Sequence, residues 1–338
     1  MVKENLCGLT ADEIFRIIQP WDYNFSHAVA ISNSLYKNRI AEITGFKNIP
    51  KQLKYLLTKD FMPGYSTSVN TEISSDGTEK YLFKTADSKL FETVFIPGDK
   101  RNTVCISSQS GCRMGCSFCA TASYGFHGNL SAGEIVSQVI SIPGAARITH
   151  VVLMGMGEPM DNLDNVLKAC NIMTSEWGLS LSPRNVTVST VGLTDGIIKF
   201  LEASDCNLAL SLFSPFTGER KNMIPAEAKH PVKNIVELLK SIPVRKKRRL
   251  SLAYVMIKDL NDTDRHLSEL KSLVAGSRIR VNLLPYHSSG YDNKTSSSAE
   301  RMMYFKHNLV ISGISASIRT SRGADISAAC GLLASGLR

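Results

Sequence analysis

From about residue 100 the chain repeats one pattern, a short apolar run followed by an amphipathic stretch. The apolar runs are TVCISS, ITHVVLMG, NVTVSTV, NLALSLF, LSLAYVMI, RVNLLPY and SASIRT. They are nearly continuous in apolar character, as strands are when helices cover a parallel sheet. Between them, SAGEIVSQVI, NLDNVLKACNIM, DGIIKFLEAS, VKNIVELLKSI and DRHLSELKSLV carry helical spacing. Repeated β-α units predict an α/β domain, built as a full or partial barrel or as a doubly wound sheet. In either arrangement sites gather at the C-terminal ends of strands. The segment GMGEP, one residue beyond THVVL, falls at such an end. Residues 286–300, YHSSGYDNKTSSSAE, read as a polar surface loop.

The first 85 residues differ. LTADEIFRII predicts a helix with Thr10 as its N-cap, and SHAVAISNSLYKN and IPKQLKYLLTKD also have helical spacing. Then SSDGTEKYLFKTADSKLFETVFIP places turn signals at Asp76-Gly77 and at Ala86–Ser88 between strand-like runs. The expected organisation is a helical accessory unit with the start of a β-hairpin extension over 1–85, a core over 86–330, and a short tail over 331–338.

A chain of 338 residues with 43% hydrophobic content has ample material for a packed core. It contains no apolar run of membrane-spanning length, and MVKENLCGLTADEIF lacks the layout of a signal peptide. The expected location is cytoplasmic, without a membrane partner. The net charge of +9 favours encounter with nucleic acid but does not say which. The dense run Arg245, Lys246, Lys247, Arg248 and Arg249 reads as a solvated turn before a strand rather than a dedicated RNA contact.

Eight cysteines in a reducing compartment act as metal ligands, reactive thiols or packing. Cys112, Cys116 and Cys119 fall within the eight residues CRMGCSFC. Gly111 and Gly115 let this loop wrap a bulky inorganic group. Thiolates suit zinc and iron–sulfur clusters. A closed zinc site needs a fourth ligand, for which His127 is the nearest downstream histidine. A [4Fe–4S] cluster on three cysteines keeps one iron open to chelate a small molecule.

The Cys-x3-Cys-x2-Cys spacing, with Phe118 before its last cysteine, resembles the signature of radical S-adenosylmethionine enzymes. CISSQSGCRMGCSFCATASYGFHGNLSAGEIVSQV, VVLMGMGEPMDNLDNV, VTVSTVGL and RTSRGADISAACG together resemble the RlmN/Cfr family of adenosine methyltransferases. The similarity runs through nearly the whole chain. It implies a partial (β/α)6-type barrel, a [4Fe–4S] cluster on Cys112, Cys116 and Cys119, and S-adenosylmethionine as cofactor and methyl source. Family cofactor contacts fall on Gly157, Glu158, Ser189, Ser211, Leu212, Phe213 and His287. The family usually has His where this chain has Phe213, and Asn where it has His287. Those two departures bear on substrate and carbon specificity more than on the cluster.

The resemblance makes Cys330 a methyl carrier that is first alkylated and then joined to an adenine ring. Cys105 would resolve that adduct, with Glu92 the second candidate for proton acceptance. Small neighbours, Ala328, Ala329 and Gly331, suggest a mobile loop around Cys330. Cys7, Cys170 and Cys206 match no motif and read as packing. The implied activity is methylation of carbon 2 of an adenosine in 23S rRNA, with tRNA a further substrate. A one-electron reductant such as flavodoxin is the expected partner of a monomeric enzyme. Carbon 8 is the alternative within the family. Outside it stand a non-catalytic iron–sulfur protein and a zinc-bound RNA-binding module.

Overall fold

The computed structural model describes residues 3–243, 248–288 and 293–337. The N-terminal unit comprises β1 (Glu4–Asn5), α1 (Ala11–Ile18), α2 (Phe25–Tyr36), α3 (Lys51–Asp60) and β2 (Phe61–Met62). Thr10 caps α1 as expected. Its side chain accepts from Glu13 N at 3.2 Å, and Glu13 Oε2 accepts from Thr10 N at 2.8 Å, a reciprocal capping box. The unit packs directly on the core. A Cβ on Gly8 would lie 2.4 Å from Gly133 N, so these two backbones touch with no room for a side chain. Lys168 reaches Glu13 at 2.7 Å across the same junction.

The expected hairpin is a three-stranded meander of β3 (Ser68–Ile73), β4 (Glu79–Lys84) and β5 (Leu90–Ile96). Its turns lie where Asp76-Gly77 and Ala86–Ser88 placed them. The core follows with β6 (Thr103–Cys105), β7 (Gln109–Gly111), α4 (Ala120–Tyr124), β8 (Phe126–Asn129), α5 (Ala132–Ile140), β9 (His150–Leu153) and α6 (Leu163–Thr174). Next come β10 (Val186–Thr190), α7 (Thr194–Ala203), β11 (Asn207–Ser211), α8 (Thr217–Met223) and α9 (Val232–Ser241). The last elements are β12 (Leu250–Met256), α10 (Asp264–Val274), β13 (Arg280–Pro285), α11 (Ala299–Ile311) and β14 (Ala316–Ile318).

One sheet runs β14-β13-β12-β11-β10-β9-β6-β5-β4-β3. From β14 to β6 every pairing is parallel, and β6 to β3 is antiparallel. All seven apolar runs of the sequence become the parallel strands of this mixed α/β sheet. Their two faces are not equivalent, though. Val186, Val188, Leu208, Leu210, Leu252, Tyr254, Val281 and Leu283 are buried, in one core with helix residues Ile135, Val166, Ile197, Ile235 and Leu270. The alternate positions Thr187, Ser189, Ser211, Ala253 and Asn282 are half-buried and small or polar. They line the concave side, so the lumen is polar where the helix side is apolar.

The basic run is only partly described, since residues 245–247 lie outside the described residues. Arg248 is not solvated: it is buried, and its Nη1 donates to Leu201 O at 2.8 Å. Arg249 is exposed. Within the expected loop 286–300, residues 289–292 likewise lie outside the description.

Candidate active site

Cys112, Cys116 and Cys119 lie on the loop between β7 and α4. Gly111 has φ +76°, and a Cβ there would stand 1.6 Å from Gly125 O. Only glycine permits this contact, which lets Cys112 N donate to Gly125 O at 2.9 Å. Cys119 N bonds Cys116 O at 3.2 Å, and Ser117 N bonds Met223 O at 3.1 Å. The loop is thereby set by its backbone, leaving its side chains for other work.

The three thiols are free of disulfides. Burial pushes Cys112 up to about 12, with the charges of Cys119 and Glu158 adding to the rise. Burial raises Cys116 as well, and Cys119 and Cys112 raise it further. Two desolvated thiols, Cys112 and Cys116, beside a half-buried Cys119 fit a multinuclear iron–sulfur group, whose positive charge would replace their protons. Among the described residues no three His, Cys, Asp or Glu side chains converge as a single metal ion would need. His127 has a different partner: its Nε2 lies 3.2 Å from Tyr124 O, and its ring packs on Tyr124 at 4.4 Å.

An apolar collar surrounds the loop. Cys116, Phe213, Met223, Ile224, Ile257 and Tyr286 form one buried cluster, with Phe118 and Cys119 packed against it. Phe118 and Phe213 stack at 5.8 Å with 12° between their planes. Phe213 does this with φ +62°, an uncommon conformation for a bulky residue. Its carbonyl accepts from the buried Asn261 Nδ2 at 2.7 Å. Aromatic bulk at this position therefore adds water exclusion to the cysteine loop.

Gly157 and Glu158 sit after β9 as expected. Gly157 has φ +96°, and a Cβ there would meet Gln109 Cβ at 2.6 Å. Glu158 is buried, which lifts its carboxyl to about 7 against hydrogen bonds from Thr190, Val191 N and Met160 N. Oε1 accepts Met160 N at 3.0 Å and Oε2 accepts Val191 N at 2.9 Å. One carboxylate thus ties the end of β9 to the end of β10. Ser189 lies within β10 and Ser211 ends β11, both half-buried on the lumen face, while Leu212 is buried. His287 shares a hydrogen bond of 2.8 Å with Ser321, linking the end of β13 to the segment before Cys330.

The tail returns to this mouth. Ala120 N donates to Gly331 O at 2.9 Å, and Thr121 Oγ1 donates to Leu333 O at 2.9 Å. Glu92 Oε2 accepts Ala334 N at 2.7 Å, and Glu92 Oε1 lies 3.4 Å from the Lys80 ammonium. The expected mobile loop is instead a pinned segment. Ala328, Ala329, Leu332, Leu333 and Ala334 are buried, and Cys330 is exposed among them. Protein packed around the thiol raises the pKa of Cys330, the nearby Arg319 charge lowers it, and the Cys119 charge raises it. Cys105 is raised by burial first and then by the charge of Cys330. Two thiols far apart in sequence therefore lie within electrostatic reach of one another.

Several organising residues escaped the sequence reading. Arg220 on α8 is fully buried, pairs with Glu227, and donates to Leu212 O at 3.0 Å and to Ser211 O at 2.9 Å. Ser107, Ser108 and Gln109 are buried between β6 and the cysteine loop. Ser107 Oγ donates to Glu92 O at 2.6 Å, and Gln109 Oε1 accepts Glu158 N at 2.9 Å. Four consecutive polar residues, Ser107 to Ser110, between an apolar strand and a Gly-Cys pair were the available signal.

A lumen-facing polar sheet, a glycine-shaped loop with three free thiols and a carboxylate-braced GMGEP turn define the class, a radical S-adenosylmethionine enzyme. Residues 106–270 match the Radical SAM superfamily, so the protein works with a [4Fe–4S] cluster and S-adenosylmethionine. A radical SAM methyltransferase from Sphaerobacter thermophilus superposes with a TM-score of 0.89 at 34% identity, over 98% of this chain and 99% of that one. The probable dual-specificity RNA methyltransferase RlmN of Bacteroides thetaiotaomicron is 40% identical, over 98% of this chain and 96% of its own length. The dual-specificity RNA methyltransferase RlmN of Pseudomonas fluorescens is 35% identical, over 98% and 90%. The chain belongs to the RlmN family of radical SAM RNA methyltransferases.

Proposed function

We propose that this enzyme methylates carbon 2 of an adenosine in 23S rRNA and in tRNA, using Cys330 as methyl carrier. The observation that supports the reading is the docking of the Cys330 segment on the cysteine loop's helix, Ala120 N to Gly331 O at 2.9 Å, with the Cys330 charge felt at Cys105. Cys112, Cys116 and Cys119 hold the cluster, which supplies the electron for reductive cleavage of S-adenosylmethionine. Gly157, Glu158, Ser189, Ser211 and Leu212 shape the cofactor's pocket at the strand ends. Phe213 keeps water from the loop and His287 steadies the approach to the tail.

The Cys330 thiolate is the first nucleophile, taking a methyl group from one S-adenosylmethionine as S-adenosylhomocysteine leaves. Its methyl carbon would give one hydrogen atom to the radical that a second S-adenosylmethionine supplies and bond to carbon 2 of the adenine, the surplus electron returning to the cluster. Cys105 accepts the carbon-2 proton; its thiolate then attacks the Cys330 sulfur, the carbon–sulfur bond breaks, the carbon takes up a proton as methyl, and a Cys105–Cys330 disulfide is left for the reductant. Glu92 acts on the tail rather than on the base, because its two oxygens already face Lys80 and Ala334 N. The target base enters unstacked, as bases do for enzymes that act on ring atoms. The N-terminal helical unit, residues 1–85, docks the RNA beside the core. The dual specificity named for the relatives favours rRNA and tRNA together. A flavodoxin-like reductant serves the monomer in the cytoplasm.

The test is mass spectrometry of nucleosides from 23S rRNA and tRNA of a host that lacks this methylation and expresses the chain. 2-Methyladenosine in both RNAs is the expected result. 8-Methyladenosine would overturn the choice of carbon. Neither product from a cluster-loaded protein would overturn the substrate.

A further inference from the structure

We propose that Arg113 and Phe126 form a stacking platform for a nucleobase beside the target adenosine. Phe126 opens β8, where it is paired in register with Gly111, the residue before Cys112. Arg113 is the residue after Cys112, and its guanidinium carbon lies over the Phe126 ring, 4.4 Å from the centroid. A planar cation therefore covers an aromatic ring right beside one cluster ligand. Phe126 is 37% exposed and the Arg113 side chain 52%. Among the described residues Phe126 joins neither buried apolar cluster.

The pair is held by the network that also builds the site. Asp161 Oδ2 accepts Arg113 Nε at 2.7 Å and Gln109 Nε2 at 2.8 Å. Gln109 Nε2 also donates to Asn129 Oδ1 at 2.8 Å, at the far end of β8, and Gln109 Oε1 accepts Glu158 N at 2.9 Å. A long side chain fixed in this way loses little further freedom when something stacks on it. The charges decide what that is. Arg113 is paired with Asp161, and the neighbouring Lys89, which a Cβ on Gly128 would meet at 2.8 Å, is paired with Asp87 at 2.7 Å. Cations with carboxylate partners attract phosphate only weakly. What remains on offer is a flat face, and bases stack on aromatic rings and on guanidinium planes.

The location suits the chemistry proposed above, on whose RNA reading this inference rests. Helix α4 links the platform to the methyl carrier. Near its start, Ala120 N and Thr121 Oγ1 donate to Gly331 O and Leu333 O, both at 2.9 Å. Its other end leads through Gly125 to Phe126, about 7 Å of helix away. An adenosine unstacked to reach Cys330 leaves its neighbour without a stacking partner. The platform replaces the lost stack and keeps that neighbour from following the target into the mouth.

The experiment uses full-length, cluster-loaded wild type, Phe126→Ala, Phe126→Trp and Arg113→Lys, matched for iron content and circular dichroism. The probes are an RNA stem-loop with the target adenosine in its loop, and the same RNA with an abasic site on the 5′ or on the 3′ side of that adenosine. Affinity is read by fluorescence anisotropy across a salt series. One of the abasic sites should weaken wild-type binding about tenfold or more, the scale of a base–aromatic stack. Phe126→Ala should lose as much with the intact RNA and then be indifferent to that abasic site. Phe126→Trp should behave as wild type. Arg113→Lys keeps its charge without the plane, so its affinity should fall at an unchanged salt slope. The fluorescence of 2-aminopurine at the sensitive position should be quenched on binding to wild type, an arm that needs no variant. If wild type binds no stem-loop, the RNA reading falls and the platform with it. If wild type binds but is indifferent to both abasic sites, or if the penalty persists in full in Phe126→Ala, the platform alone is overturned. A persistent penalty together with slower reductant-driven cleavage of S-adenosylmethionine in Phe126→Ala would assign the pair to the reductant instead.

Discussion

The Glu92 carboxylate accepts a hydrogen bond of 2.7 Å from the backbone N–H of Ala334, across a sequence separation of 242 residues. Both partners are buried, and Lys80, also buried, faces the other carboxylate oxygen. The contact closes the tail behind Cys330. Glu92→Ala leaves a buried N–H without an acceptor, a loss of about 2 kcal/mol. It should accelerate alkylation of Cys330 by iodoacetamide and depress methylation. Glu92→Gln keeps an acceptor for Ala334 N and should retain methylation within about tenfold of wild type, on the scale of one weakened hydrogen bond. Accumulation of a covalent RNA–Cys330 adduct in Glu92→Gln would instead make Glu92 the proton acceptor.

Gly111→Ala removes no thiol, yet it should lower iron content. Its φ of +76° disfavours any side chain, and the added Cβ would overlap Gly125 O. Cys112 N then loses its acceptor and the loop opens. Iron and sulfide assays after anaerobic reconstitution check this, with Gly276→Ala as the comparison. Gly276 also has positive φ, at +69°, but has nothing within 4 Å of its added Cβ. Equal iron loading in the two variants would show that the Gly125 contact does not shape the loop.

The order of strands was legible because seven apolar runs alternate with amphipathic stretches, and the thiol ligands because their spacing admits few uses. The two-faced character of the strands was less legible. Small residues such as Ser189, Ala209 and Ala253 interrupt an apolar run without producing strict alternation. Helix α11 was hidden because Met303, Tyr304, Val310 and Ile311 are exposed and blur its helical period. Arg220 looked like an ordinary surface charge, and Glu92 like a candidate proton acceptor. Nothing local reveals that their partners are carbonyls and amides brought in by distant segments.

Arg220 holds the lumen ends of β10 and β11 through backbone carbonyls, while Glu227 offsets its charge at zero exposure. Arg220→Ala strands Glu227 and should cost about 3–5 kcal/mol. Arg220→Met with Glu227→Gln removes both charges together and should recover part of that stability. The same double variant should not recover binding of S-adenosylmethionine, because Ser211 and Leu212 lose the group that positions their carbonyls. Denaturant unfolding and equilibrium binding of the cofactor separate the two effects. Full recovery of both would reduce Arg220 to a partner for Glu227.

Acid should loosen the tail before it unfolds the core. Asp76 Oδ2 accepts Gly323 N at 3.0 Å, and Asp76 Oδ1 accepts Thr78 N at 2.9 Å. Burial opposes the charge of Asp76, but these hydrogen bonds outweigh it and hold the carboxyl well below its ordinary value. Asp325, also lowered, is bonded by Ser74 and by Ser75 N, at 2.6 and 3.1 Å. A group depressed on folding stabilises the fold above its unfolded pKa, about 4 for Asp. That contribution is lost as pH falls from there through the depressed folded value. Hydrogen exchange across 323–337, corrected for intrinsic rates, should therefore quicken below about pH 4 while exchange in β10 and β11 stays slow. Asp76→Asn keeps an acceptor but cannot ionise, so its tail protection should be weaker at neutral pH and nearly independent of pH. If tail and core lost protection together, the tail would be part of the core's cooperative unit rather than a clasp fastened by two carboxylates.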